Sequence, residues 1–155
     1  MSSAPRHLIV PADLAHVYAL ARAMRAADAA EATALGLDPV RALRASYRMS
    51  LFARTAFFDG AIAAMWGLNG DVLSDNGRPW LVTAAAIERL PVTFVREAKA
   101  TVAAMLSLKG TLENYVAADY GRAVRFLEVI GFALDPPAPF GPHGALFRRF
   151  HLRRA

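Results

Sequence analysis

Histidine is the residue type best suited to move protons or bind metal near neutral pH. The chain has four, His7, His16, His143 and His151. No two stand four apart on one helical face, and no carboxylate pair lies at ligand spacing beside them, so no metal site is expected. Cysteine is absent, which excludes thiol catalysis, disulfide scaffolds and cysteine-ligated metals. No G-x-S-x-G elbow offers a serine nucleophile, and neither G-x-x-x-x-G-K-[ST] nor G-x-G-x-x-G offers a phosphate loop. Charge is the stronger signal. Eighteen basic residues against 13 acidic ones give +5, and all but Lys99 and Lys109 of the basic residues are arginine. A guanidinium fork suits phosphates and carboxylates. The surplus is read either as a surface for phosphates or acidic protein, or as a coding bias shared with the many alanines. Trp66 and Trp80 suit core or interface anchors. Residues 136–144, with four prolines and Phe140 among them, read either as a docking loop or as a rigid connection whose Phe140 covers the core edge.

These residues must be held by a single domain of 155 residues, large enough for one full hydrophobic core. A hydrophobic fraction of 55% excludes a disordered chain. No apolar run reaches the roughly 18 residues of a membrane span. The first residues lack a signal-peptide pattern, so a soluble intracellular protein is expected. Residues 6–10 read as a strand stopped by Pro11, followed by a helix over about 13–24 and another over 26–35 capped by Gly36. Asp38-Pro39 reads as an N-cap with proline at the first helical position. Residues 51–58 and 61–68 flank Asp59-Gly60, the two-residue turn that right-twisted hairpins prefer. Residues 79–83 read as a central strand, 84–108 as a helical region divided by Pro91, and Gly110 as the residue that ends it. A strand over 112–116, a helix over 120–130 closed by Gly131 and a short strand over 132–134 follow. The last strand, 146–152, should point Leu146, Phe150 and Leu152 at the core, and Arg149, His151 and Arg153 at water. The order predicts an α/β (α+β) domain: a mixed central sheet of about six or seven strands with helices on both faces. The strand at 79–83 should lie parallel to the one at 112–116, because the helix over 93–108 makes the crossover.

This order resembles the GNAT (N-acetyltransferase) fold. The segment LENYVAADYGRAVRFLEVIGF, residues 112–132, resembles the end of a GNAT core. The blocks RPWLVTAAAIERLP and DPPAPFGPHGALFRRF, residues 78–91 and 135–150, resemble GNAT-like proteins of tailed bacteriophages, some described as internal virion or assembly proteins. The resemblance implies acetyl-CoA as cofactor and three requirements. A glycine-rich turn after the central strand should cradle the pyrophosphate, where bare N–H groups and a helix N-terminus favour anions. The matching residues 84–95 contain no glycine, and Pro91 removes a donor, which leaves Arg89 and Arg96 as the cofactor-binding candidates. A tyrosine four residues after the helix alanine should protonate the leaving thiolate; counted from Ala123 that position is Leu127, and the asparagine position three before the alanine is Tyr120. A carboxylate should act as base. Glu88, Glu113, Asp59, Asp71 and Asp75 are the nearby acids, and none is assigned; Tyr115 and Tyr120 are assigned to core packing or a strand edge.

The expectation is a non-catalytic GNAT-fold phage protein with a degenerate acetyl-CoA site and no catalytic residues. It would act through contacts with virion or assembly proteins, or with its own copies, in the virion or the host cytoplasm. The alternative is an active acetyl-CoA-dependent N-acyltransferase. Specific nucleic-acid binding is not expected.

Overall fold

The computed structural model describes residues 6–89 and 93–155, apart from the side chains of Arg89 and Thr93. In chain order the elements are β1 (His7–Pro11), α1 (Leu14–Ala23), α2 (Ala26–Ala34), α3 (Pro39–Arg48), β2 (Ser50–Phe58), β3 (Ala61–Asn69) and β4 (Asn76–Thr83). A 3-10 helix (Ala85–Arg89), α4 (Thr93–Leu108), β5 (Thr111–Ala117), α5 (Gly121–Val129), β6 (Ala133–Leu134), β7 (Ala138–Phe140) and β8 (Ala145–Arg153) follow. The strands make one mixed sheet in the order β1-β2-β3-β4-β5-β8-β6, with β7 also paired to β8. There are eight strands among the described residues, one more than the upper expected number. The extra one is β7, inside the segment read from sequence as a loop, where Ala138 pairs with Phe147 and Phe140 with Ala145.

Local chemistry accounts for most boundaries. Asp13 caps α1: its carboxylate accepts the His16 N–H, and His16 Nδ1 accepts the Asp13 N–H. Asp38 caps α3 by accepting the Arg41 N–H, with Pro39 at the first helical position. Asp59 and Gly60 turn the β2–β3 hairpin with φ of 48° and 81°, the left-handed pair a type I′ turn requires. Gly110 does not end α4 in a left-handed conformation, as the sequence suggested. It is glycine because the Asp75 carboxylate lies where a Cβ would go, and that carboxylate accepts the Gly110 N–H at 2.8 Å.

Helices cover both faces of the sheet. On one face α4 and α5 bring Phe94, Val102, Met105 and Val124 against Ala64, Trp66, Leu68, Leu112 and Phe150. On the other, α1 and α3 bring Val17, Leu20 and Leu43 against Met65 and Trp80. Alternate residues of β3 thus feed opposite cores, so the strand is apolar on both sides. The two tryptophans divide between these cores. The reading of β8 needs correction. Phe147 is fully buried and Leu146 is exposed, while Phe150 is buried on the opposite face. Both faces of β8 are covered over part of its length, and there a simple alternation of core and solvent fails.

Candidate functional site

The crossover from β4 through α4 to β5 is parallel, as its connection requires, but the two strands pair only at Asn76–Thr111 and Gly77–Leu112. Beyond these residues they diverge. Asn114 spans the gap, its Nδ2 donating to the Pro79 carbonyl at 2.9 Å. The gap opens into a cleft of about 640 Å³ with mainly apolar walls that include Trp66, Trp80, Phe94, Phe126 and Leu127. A cleft of this size, with a few polar groups converging on it, is the form a small-molecule or peptide site takes.

The polar groups come from α2. Its two acids, Asp28 and Glu31, stand three apart in an alanine-rich helix and so share a face. Asp28 Oδ2 accepts the Thr83 hydroxyl at 2.7 Å and the Tyr120 hydroxyl at 3.1 Å, tying α2 to the end of β4 and the start of α5. Glu31 Oε2 accepts the Ala117 N–H at 2.9 Å, at the end of β5. Burial raises Asp28 above the usual carboxylate range, against the opposing pull of the Thr83 and Tyr120 hydrogen bonds. Burial pushes Glu31 up to about 7; the Ala117 N–H opposes this, and the negative charges of Asp28 and Asp119 add to it. The Tyr120 phenol is also raised, first by burial and then by the charge of Asp28.

A second polar group lies at the β4–α4 connection. The Thr83 carbonyl accepts the Arg25 N–H at 2.9 Å, and Met24 bridges to Ala84. The 3-10 helix then projects Glu88, whose Oε1 accepts from Arg25 at 3.3 Å and also from Arg122. One carboxylate therefore sits between two guanidiniums, one ahead of α2 and one on α5.

The structure does not gather the residues that the sequence brought forward. Arg96 is exposed on the first turns of α4, while the Arg89 side chain and Pro91 lie outside the described residues. Leu127 packs against the core beneath α5, and Tyr120 reaches the cleft through Asp28. Asp59 accepts the Arg6 N–H at its turn, and Asp71 caps the loop after β3. Glu113 pairs with Arg149, which also reaches Asp135. His7 lies 3.2 Å from Glu97, and His151 2.9 Å from Asp135. Among the described residues no group of three histidines or acids could hold a metal ion. The sequence reading missed Asp28, Glu31 and Arg25. The available signal was that α2 carries two acids one turn apart and otherwise little but alanine.

No family model matches the chain, and no curated protein matches it by sequence. Solved structures do match. A GNAT-family acetyltransferase from Streptococcus pneumoniae is 14% identical with a TM-score of 0.65, covering 97% of this chain and 100% of its own. One from Bacillus anthracis is 8% identical with a TM-score of 0.62, covering 96% and 95%. An α-N-acetyltransferase of a ribosomal protein, solved in complex with coenzyme A, is 10% identical with a TM-score of 0.65, covering 96% and 94%. The chain has the GNAT acetyltransferase fold; identities this low establish the fold alone. No helix among the described residues is long and apolar enough to cross a membrane.

Proposed function

We propose that this GNAT-fold chain acts through protein contacts and does not turn over acetyl-CoA. The observation that carries the reading is Glu88. It lies at the β4–α4 connection, where a pyrophosphate would need bare N–H donors, and it is engaged by Arg25 and Arg122. An anion arriving there meets a carboxylate and must displace it from both arginines. The splay beside it is bridged from within by Asn114 to Pro79, and the Ala117 N–H at the end of β5 is already taken by Glu31 of α2. These residues do not fit the pyrophosphate of acetyl-CoA. The resemblance of residues 78–91 and 135–150 to tailed-phage proteins supports a partner in the virion or its assembly, and so a place in the particle or the host cytoplasm.

A second reading, an acyltransferase working on an amine, is favoured by one observation: Glu31 is half-buried at the cleft end and held at about 7, where a general base works well. Calorimetry with acetyl-CoA, and a free-thiol assay over a panel of amines, separate the two. The first reading expects neither heat of binding nor thiol release. Micromolar binding with turnover abolished in Glu31→Gln would replace it with the second. Probing purified particles for the chain tests the partner.

A further inference from the structure

The end of the sheet away from the cleft carries a feature that the cleft does not explain. Between β3 and β4 the chain makes a short loop whose tip, Val72 and Leu73, is 89% and 98% exposed. Two aliphatic side chains standing almost wholly in water usually sit on a loose segment. This loop is tied down from three sides. Lys109 is 6% exposed, and its ammonium donates to the Asp71 carbonyl at 2.6 Å and to the Ser74 carbonyl. The Asp71 carboxylate accepts the N–H groups of Leu73 and Ser74 at 2.7 and 2.8 Å. Asp75 accepts the Gly110 N–H, and its carbonyl accepts the Thr111 N–H. Gly70 and Gly77 leave room for the lysine stem: a Cβ on Gly77 would come within 3.0 Å of Lys109 Cγ, and one on Gly70 within 3.3 Å of Cε. A buried ammonium and close-fitting glycines hold Val72 and Leu73 outward. A preorganised apolar tip loses little entropy when it docks, which is what a contact surface needs.

The same end of the molecule exposes Met49 and Leu51, beside the Ser50–Asn69 pair, and Leu108 at the end of α4. We infer that this end of the sheet, centred on Val72 and Leu73, is a twofold interface between two copies of this chain. Two arguments choose a second copy over other occupants. The first is charge. Exposed Asp71 flanks the tip on one side, and exposed Arg78, Arg153 and Arg154 lie at the same end. The N–H groups of Ser74 and Leu73, with Lys109 behind them, hold Asp71 below the usual carboxylate range, so it stays charged. A surface with both signs around an apolar centre complements itself across a twofold axis, with Asp71 of one copy toward the arginines of the other. The second argument is area. The five exposed aliphatic residues offer roughly 600 Å² per protomer, and about twice that across the axis, which reaches the lower bound for a specific interface. The contact lies at the closed end of the β4–β5 pair, so it stands whether or not the cleft takes acetyl-CoA.

The test is sedimentation and light scattering of the full chain from about 1 to about 300 µM, which spans the dissociation constants of weak dimers. The native chain should shift from monomer to dimer across it. Leu73→Asp should weaken the dimer at least tenfold, with unchanged melting of the monomer, because the side chain touches little within its own copy. Leu8→Asp, at an exposed aliphatic position on β1 away from this end, should leave the dimer unchanged. A monomer at every concentration would overturn the inference, as would a dimer indifferent to both Leu73→Asp and Val72→Asp. Leu73-dependent binding to anionic vesicles without self-association would overturn it too.

Discussion

Replacing Glu31 by glutamine should make the protein more stable at alkaline pH and leave it unchanged in acid. The side chain is half-buried, and its carboxyl is pushed from 4.5 up to about 7. Holding the charged form in that environment costs about 3 kcal/mol, at about 1.4 kcal/mol for each pH unit of displacement. The folded-state value lies above the unfolded one, so the folded state keeps its proton longer. The group's stabilising contribution is complete below pH 4.5 and is lost as pH rises through about 7. The native chain should therefore lose about 3 kcal/mol between pH 4.5 and pH 8 through this residue alone. Glutamine keeps an oxygen for the Ala117 N–H, bound at 2.9 Å by Glu31, and has no charge to desolvate. Urea or thermal melts at about pH 5 and about pH 8 read the difference directly. In a domain of this size, about 3 kcal/mol corresponds to roughly 6–12 °C in Tm at the higher pH. Alanine at position 31 separates charge from hydrogen bond, because it leaves the amide without its side-chain acceptor at a cost of about 1–3 kcal/mol. If glutamine destabilised the protein at pH 8 by more than at pH 5, Glu31 would be an ionised, stabilising carboxylate, and the reasoning from burial would fail.

Other perturbations test the fold and the charge. Phe147→Ala should cost about 3–5 kcal/mol and Leu146→Ala close to nothing in chemical denaturation, since Phe147 is buried and Leu146 exposed; a larger cost at Leu146 than at Phe147 would mean that β8 sits in the opposite register. Gly110→Ala should destabilise by about 1–3 kcal/mol, because the new methyl meets the Asp75 carboxylate, and a neutral melt would show that the loop after β3 yields freely. Titration with duplex DNA should give a dissociation constant well above roughly 10⁻⁸ M at about 150 mM salt. Arg25, Arg122 and Arg149 already hold carboxylates, and tight, steeply salt-dependent binding would instead mark a phosphate-tracking groove.

The sequence alone determined the features that short stretches of backbone decide. Asp59-Gly60 turns the hairpin because its two residues reach positive φ, and Asp38-Pro39 opens α3 because one caps and the other has no N–H to lose. The 16-residue α4 between two apolar runs dictated a parallel crossover, and with it the outline of the sheet. The faces of β8 were beyond its reach, since periodicity distinguishes core from solvent and both faces of that strand are covered in part. β7 was hidden among prolines, which favour loops and edge strands alike. The site lay furthest from view. No side chain of α2 is fully buried, so its pattern carried no orientation, and the partners of Asp28 and Glu31 come from residues 55 to 92 positions away. Propensity and capping act over a few residues of chain, whereas burial and the partners of a carboxylate depend on which distant strands the sheet sets side by side. Only the folded arrangement of α2, β4, β5 and α5 could raise two ordinary helix acids and place them at the mouth of the cleft.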